Sequence, residues 1–179
     1  IEDGIVYEDS SKTKLLACPS SREGTVVIPD SVTSIDDFAF DGCTGLTSIT
    51  IPDSVTSIGE GAFYDCFSLT SVTIPDGVTN IGDYAFSGCS SLTSVTIGNS
   101  VTSIDESAFS GCISLTSITI PDTVTEIGEF AFHRVPNVIY SGTASGSPWG
   151  ARALNGFIED GIVYEDSSKT KLLACPSSR

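Results

Sequence analysis

The chain lacks several features that nucleic-acid-binding proteins, membrane proteins and enzymes depend on. Its 179 residues include no methionine, one histidine and one tryptophan. No apolar run approaches the roughly 18 residues of a membrane span. Only eight Lys and Arg stand against 23 Asp and Glu, for a net charge of −15. Such a surface repels nucleic acid and anionic lipid, so we expect neither as a partner and no membrane insertion.

Motifs for catalysis, cofactors and targeting are missing as well. The sequence has no GxSxG segment, no phosphate-binding glycine loop with its lysine and no CxxC pair, and His133 stands alone. We therefore expect no enzyme, no cofactor and no metal site. A secretory signal is also missing, which predicts an excerpt of a longer protein whose targeting signals lie elsewhere. Apolar residues make up 40%, enough for a core.

Repetition is the dominant feature of the sequence. An Ile-Pro-Asp tripeptide, replaced once by Ile-Gly-Asn, recurs every 23 residues from Ile28, Ile51, Ile74, Ile97 and Ile120. An Ala-Phe pair keeps the same spacing and ends at Phe40, Phe63, Phe86, Phe109 and Phe132. A fixed period of this length indicates a solenoid and lies in the range of leucine-rich repeats.

The unit at residues 46–68, LTSITIPDSVTSIGEGAFYDCFS, shows the local pattern. Leu46, Ile49 and Ile51 form an LxxLxL signature that alternates with hydroxyl side chains, which predicts a strand with one apolar face. No unit can bury this face alone, so stacking about 4.8 Å apart is needed to close the core. Leu46 and its equivalents must then form one interior row.

The rest of the unit predicts a second strand and a helical segment. Residues 55–58 read as a short extended piece, and residues 60–66 as one or two helical turns. Ala62, Phe63 and Cys66 are expected to face inward from these turns.

These repeats resemble the BspA-type leucine-rich repeat family of bacterial and protist surface proteins. The resemblance implies an α/β-poor repeat solenoid: a right-handed leucine-rich-repeat superhelix of short β-strands and short helical turns, with β-hairpin and short-helix caps. The Asn that usually follows the strand is replaced by Ser54, Gly77, Ser100 or Thr123. Other groups must therefore satisfy the turn backbone.

A longer period frames the repeats. The segment from Ile1 to Arg22 recurs unchanged from Ile158 to Arg179, and whether the duplication is natural or engineered stays open. We predict an N-terminal hairpin cap at 1–24, with strands at 4–7 and 13–18, and five repeats at 25–140. A linker with a short capping helix at 141–157 and a second hairpin at 158–179 follow. The matching ends predict head-to-tail self-association.

The predicted capping helix carries the single tryptophan. Ser147 suits its N-cap, Pro148 its first turn and Gly156 its end. Trp149 is expected to cover the open end of the core, and stacking on a ligand is the alternative.

The cysteines follow the 23-residue period, which bears on their state. Four share one column and two occupy the same position of the duplicated segment: Cys43, Cys66, Cys89 and Cys112, then Cys18 and Cys175. An even number permits disulfides, but regular stacking in one column favours buried free thiols.

Acidic residues also recur in two columns. One holds Asp30, Asp53, Asp76 and Asp122, and the other holds Asp37, Glu60, Asp83, Glu106 and Glu129. Solvated turn residues are the favoured interpretation, and a divalent cation between stacked carboxylates is the alternative.

The hydroxyl side chains of the predicted strands form the candidate binding surface, the ladder face. It comprises Ser48, Thr50, Ser71, Thr73, Ser94, Thr96, Ser117 and Thr119. Solenoids commonly bind on such a face. Thr is also an ordinary exposed strand residue, and a regular Ser-x-Thr array permits an ice-binding interpretation. The repeats place no aromatic or arginine anchor there.

Two functions remain open. The family resemblance implies a non-enzymatic adhesion or binding module for a protein or glycan, in an extracellular or cell-surface location. A passive spacer or a self-assembling tandem segment is the alternative, and uniform hydroxyl columns favour it.

Overall fold

The computed structural model describes residues 4–116 and 118–135, together with the strands at 137–140, 145–146, 156–159, 162–164 and 172–174. It contains the strands β1 Val6–Tyr7, β2 Lys14–Ala17, β3 Gly24–Val27, β4 Ser34–Ile35, β5 Leu46–Thr50, β6 Ser57–Ile58, β7 Ser71–Ile74, β8 Asn80–Ile81, β9 Ser94–Ile97, β10 Ser103–Ile104, β11 Ile118–Ile120, β12 Glu126–Ile127, β13 Asn137–Tyr140, β14 Ser145–Gly146, β15 Gly156–Glu159, β16 Ile162–Tyr164 and β17 Leu172–Ala174.

Each coil of the solenoid contributes one strand to each of two sheet faces. An eight-stranded sheet runs β1-β2-β4-β6-β8-β10-β12-β14, parallel from β2 onward. The other face begins as β3-β5-β7-β9 and continues as a second sheet, β11-β13-β15-β16-β17. The pairing joins residues one period apart, as in Ile58 with Ile81 and Ile81 with Ile104. This confirms the predicted repeat solenoid.

The interior consists of columns of identical side chains. Leu46, Leu69, Leu92 and Leu115 are all fully buried, as the prediction of a single interior row requires. The five Phe rings of the Ala-Phe pairs stack with centroids 4.9–5.6 Å apart and interplanar angles of 3–14°. Burying each ring contributes about 1.5–3 kcal/mol, and only the neighbouring coils supply the cover.

The predicted helical turns are wrong, because the described residues contain no helix. The segment after each short strand is a chain of tight turns. In one coil the amide of Tyr64 donates to Gly61 O, whereas the amide of Phe63 donates to Ala85 O of the next coil. Amides that alternate between a local partner and a neighbouring coil cannot form the uniform ladder of an α-helix. Ala62, Phe63 and Cys66 do face inward, fully buried.

Thiol and hydroxyl side chains form hydrogen bonds between coils, in place of the Asn that usually follows the strand. Each thiol donates to a carbonyl oxygen of the preceding coil at 3.2 Å, in the pairs Cys66–Phe40, Cys89–Phe63 and Cys112–Phe86. A threonine column does the same along the eight-stranded sheet, with Thr56 Oγ1 donating to Thr33 O and Thr102 Oγ1 to Thr79 O, both at 3.1 Å. These carbonyls also accept backbone amides, as Phe40 O does from Cys43 and Thr33 O from Thr56, so each side chain adds a second donor to a carbonyl that is already paired.

The predicted N-terminal hairpin is confirmed. β1 and β2 pair antiparallel, with Val6 opposite Ala17 and Tyr7 opposite Leu15. The second copy forms the same hairpin in the same register, with Val163 opposite Ala174 and Tyr164 opposite Leu172. The predicted capping helix and Trp149 lie outside the described residues, and the proposed domain boundaries stay predictions.

Candidate binding surface

The ladder face is built by β5, β7, β9 and β11. Pairing aligns Ser48, Ser71 and Ser94 in one column and Thr73 with Thr96 in the next. Ser48 is half-buried; Thr50, Ser71, Thr73, Ser94, Thr96 and Thr119 are exposed, and Ser117 lies outside the described residues. The aliphatic residues between them point into the core. The predicted outward hydroxyl columns therefore exist, and whether they bind a ligand stays a prediction.

A third threonine column flanks the ladder face. Thr70 Oγ1 donates to Thr47 O at 3.1 Å, and Thr93 Oγ1 donates to Thr70 O at 3.0 Å. Sequence reasoning missed its role, although the regular Leu-Thr dipeptide was visible. Its hydroxyls donate hydrogen bonds to the carbonyls of the preceding coil, so this column helps to hold neighbouring strands in register.

Among the described residues, the strand pairing of the ladder face stops between β9 and β11, which belong to different sheets. A cleft of about 480 Å³ opens there, lined by Thr93, Ser94, Thr96, Asn99 and Thr119 among others. Val95 is half-buried, whereas its register partner Val72 is buried. The interruption falls where Ile-Gly-Asn replaces Ile-Pro-Asp, and it gives the uniform face one distinct position.

The expectation that this face has no arginine or aromatic neighbour is incomplete. A second cleft, of about 430 Å³, lies at its N-terminal end and is lined by Ile5, Tyr7, Arg22, Thr25, Val26, Val27 and Pro29. Val27 is 68% exposed and pairs with Thr50. Because Tyr7 and Arg22 precede the first repeat, an analysis of repeat columns alone overlooks them.

Aromatic side chains are exposed on the turn side of the solenoid. Phe38, Tyr84 and Phe130 occupy one column and have φ between 55° and 56°. The Tyr84 hydroxyl donates to Glu106 Oε1 at 3.0 Å, and this bond raises the pKa of Tyr84. His133 is half-buried and meets Phe130 edge-on at 6.0 Å.

The acidic columns organise the backbone of the following coil. Asp37 Oδ1 accepts the amide of Glu60 at 2.9 Å, and Asp83 Oδ1 accepts the amide of Glu106 at 2.8 Å. This role agrees with the interpretation as turn residues. Within the described ranges, no three His, Cys, Asp or Glu side chains converge to hold a metal ion.

The described cysteines are buried free thiols, as the sequence favoured: Cys18, Cys43, Cys66, Cys89 and Cys112. Cys175 lies outside the described residues. Burial raises the pKa of Cys66 and of Cys112 to about 12 each. These thiols are therefore protonated and structural at neutral pH.

The stacked coils and the ladder face together define a leucine-rich repeat solenoid. The chain belongs to the BspA-type leucine-rich repeat family, whose model matches residues 18–139 in six copies. No helix in the described part of the chain is long and apolar enough to span a membrane.

Solved structures agree with this assignment. A leucine-rich repeat protein of T. pallidum is 29% identical with a TM-score of 0.70, over 77% of this chain and 69% of that one. A leucine-rich cell surface protein of Faecalibacterium prausnitzii is 32% identical with a TM-score of 0.56, over 87% of this chain and 49% of that one. This chain thus spans about half of the latter's length. The pneumococcal vaccine antigen PcpA shares the fold at 20% identity and a TM-score of 0.59, over 92% and 40%. Curated protein sequences give no match.

Proposed function

We propose that this chain is a non-catalytic adhesion module displayed at the cell surface, which binds a protein or glycan on its ladder face. The observation that carries the proposal is the pair of outward hydroxyl columns, which offer donors and acceptors at regular intervals on a rigid support. The cleft between β9 and β11 adds a position where a ligand group can enter the face. The name of the Faecalibacterium relative supports a surface location.

The contacts of the acidic residues and of His133 support a non-catalytic role. A nucleophile needs a base within hydrogen-bond reach and a third group that orients it. On the described surface, Asp37 and Asp83 accept backbone amides, and His133 contacts an aromatic ring. The two carboxylates thus hold one coil against the next, and His133 packs on a ring of its own coil.

Binding of the purified chain to immobilised matrix proteins and glycans tests the proposal. A triple variant, Thr50→Val, Thr73→Val and Thr96→Val, keeps the side-chain shape and removes three of the eight hydroxyls of the ladder face. We expect saturable binding that weakens at least about tenfold in this variant, a loss of about 1.4 kcal/mol. The matched control changes Thr56, Thr79 and Thr102 to Val on the other sheet and should bind as the unmodified chain does. Equal losses in both variants, or no binding anywhere, would contradict the proposal.

A passive spacer is the second candidate, and the uniformity of the repeat columns favours it. A spacer needs only a stiff, soluble rod, which the stacked core and the net charge of −15 provide. If no matrix protein or glycan binds while the chain remains folded, the spacer is the better account.

A further inference from the structure

The two copies of the hairpin lie in different surroundings. β1–β2 ends the eight-stranded sheet, where β2 pairs in parallel with β4. Its copy β16–β17 ends the five-stranded sheet, where β16 pairs antiparallel with β15. In the first copy the second strand of the hairpin, β2, has an outside partner. In the second copy the first strand of the hairpin, β16, has one. Taken together, the two arrangements use both edges of one hairpin.

The sequence of β1 is complementary to β15. In the second copy, Ile158 pairs with Val163 and Glu159 pairs with Ile162. The residues of the first copy at these positions are Val6 and Ile5, because the two copies are identical in sequence. A strand with the sequence of β15 can thus pair with β1 in a register that this fold already uses, in exchange for the isolated backbone bridge that Ile5 makes.

The cleft beside β1 contains a half-buried arginine, Arg22, with one unpaired nitrogen. It lies between β1 and β3, the terminal strands of their sheets, and Ile5 and Arg22 both line it. Arg22 Nε is shielded from solvent and has no hydrogen-bond partner, which leaves one buried donor of the guanidinium unpaired. In the register of β15, Glu159 lies opposite the equivalent of Ile5. A strand docked in this way therefore brings a carboxylate into the cleft that holds Arg22.

We propose that this cleft is the docking site for the segment Gly156–Glu159 of a second copy of the chain. The hairpin β16–β17 of that second copy leaves β15, and the identical hairpin β1–β2 of the first copy takes its place. The resulting sheet runs from β13 and β15 of one copy into β1, β2 and β4 of the next. Because β2 is already held by β4, the incoming hairpin is ordered in advance, which lowers the cost of the exchange. The contact is head-to-tail, so chains of copies grow from it.

Sedimentation equilibrium of the full chain, from about 10 µM to about 1 mM, tests the proposal. We expect the average mass to rise with concentration. Arg22→Gln should raise the dissociation constant at least about tenfold. Arg179→Gln changes the same residue of the second copy and is the matched control, with association equal to or stronger than that of the unmodified chain. A monomer at every concentration, or equal weakening by both variants, overturns the proposal.

A charge exchange separates docking from a loss of folding. Arg22→Glu alone and Glu159→Arg alone should each leave a monomer with an unchanged thermal transition. An equimolar mixture should associate, because the arginine introduced by Glu159→Arg meets the glutamate introduced by Arg22→Glu, and the reverse pairing restores the natural contact. Glu2 repeats Glu159 in the first copy, so a Glu2→Gln background removes a competitor within the chain. No association in the mixture contradicts the assigned contact.

Discussion

At the scale of single residues, the cysteine column shows how a column of thiols can form the hydrogen bonds between coils that a column of Asn side chains usually forms. Each thiol fills a small apolar site and also donates to a carbonyl of the preceding coil. Burial suits this role because the protonated thiol is the donor. The ionised form would lie in an apolar interior without a compensating charge.

The thiols predict a loss of stability at alkaline pH. The folded pKa of Cys66 and of Cys112 is raised from 9.0 to about 12, so the unfolded chain loses these protons first. Their contribution is complete below pH 9 and is lost as pH rises from 9 towards 12. Urea titrations at pH 8, 9 and 10.5 should show the decline.

A double variant, Cys66→Ser and Cys112→Ser, serves as the control for the alkaline loss. It lacks the two titrating thiols and should show a smaller decline over the same pH range. An equal decline in the variant and the unmodified chain would assign the effect to other groups, such as the exposed Tyr84.

At the scale of the elements, the turn segments decide how one coil is fixed to the next. Alternate amides in these segments bond across coils, and Asp37 and Asp83 of the acidic column each add a side-chain acceptor for an amide of the following coil. The arrangement stacks like charges beside one another. Hydrogen bonds to backbone amides offset part of that repulsion.

Substitutions at Asp83 should separate the hydrogen bond from the charge. Asp83→Asn keeps an oxygen acceptor for the amide of Glu106 and removes one of the stacked charges, so stability should be equal or higher. Asp83→Ala removes the acceptor and should lower the free energy of unfolding by about 0.5–1.5 kcal/mol. Thermal melts at low and high salt measure both effects. If Asp83→Ala were as stable as Asp83→Asn, the hydrogen bond would make no measurable contribution to the free energy of unfolding.

At the scale of the whole molecule, stability comes from contacts between adjacent coils. Columns of Leu, Phe and Cys continue from one coil to the next, and each coil covers only its neighbours. Such a chain behaves as a one-dimensional array in which repeats can be removed in whole units.

Removing one period should therefore leave a folded protein. Deletion of residues 70–92 joins Leu69 to Thr93 and preserves every column. We expect far-UV circular dichroism typical of the solenoid and a smaller urea m-value, because less surface is exposed on unfolding. Deletion of residues 70–80 breaks the register and should prevent folding. Two folded variants, or two unfolded ones, would contradict the repeat-based account.

The amino-acid sequence alone determined the period, the inward columns, the free thiols and the hairpin. These follow from pattern, because equivalent residues of identical coils must meet each other when the coils stack. Tertiary structure decided the rest. Tyr64 bonds locally while Phe63 bonds to the next coil, a choice that depends on the spacing between coils and that turned an expected helix into turns. The cleft at Arg22 likewise arises where two sheet edges meet, and residues outside the repeat columns give no periodic signal of such a meeting.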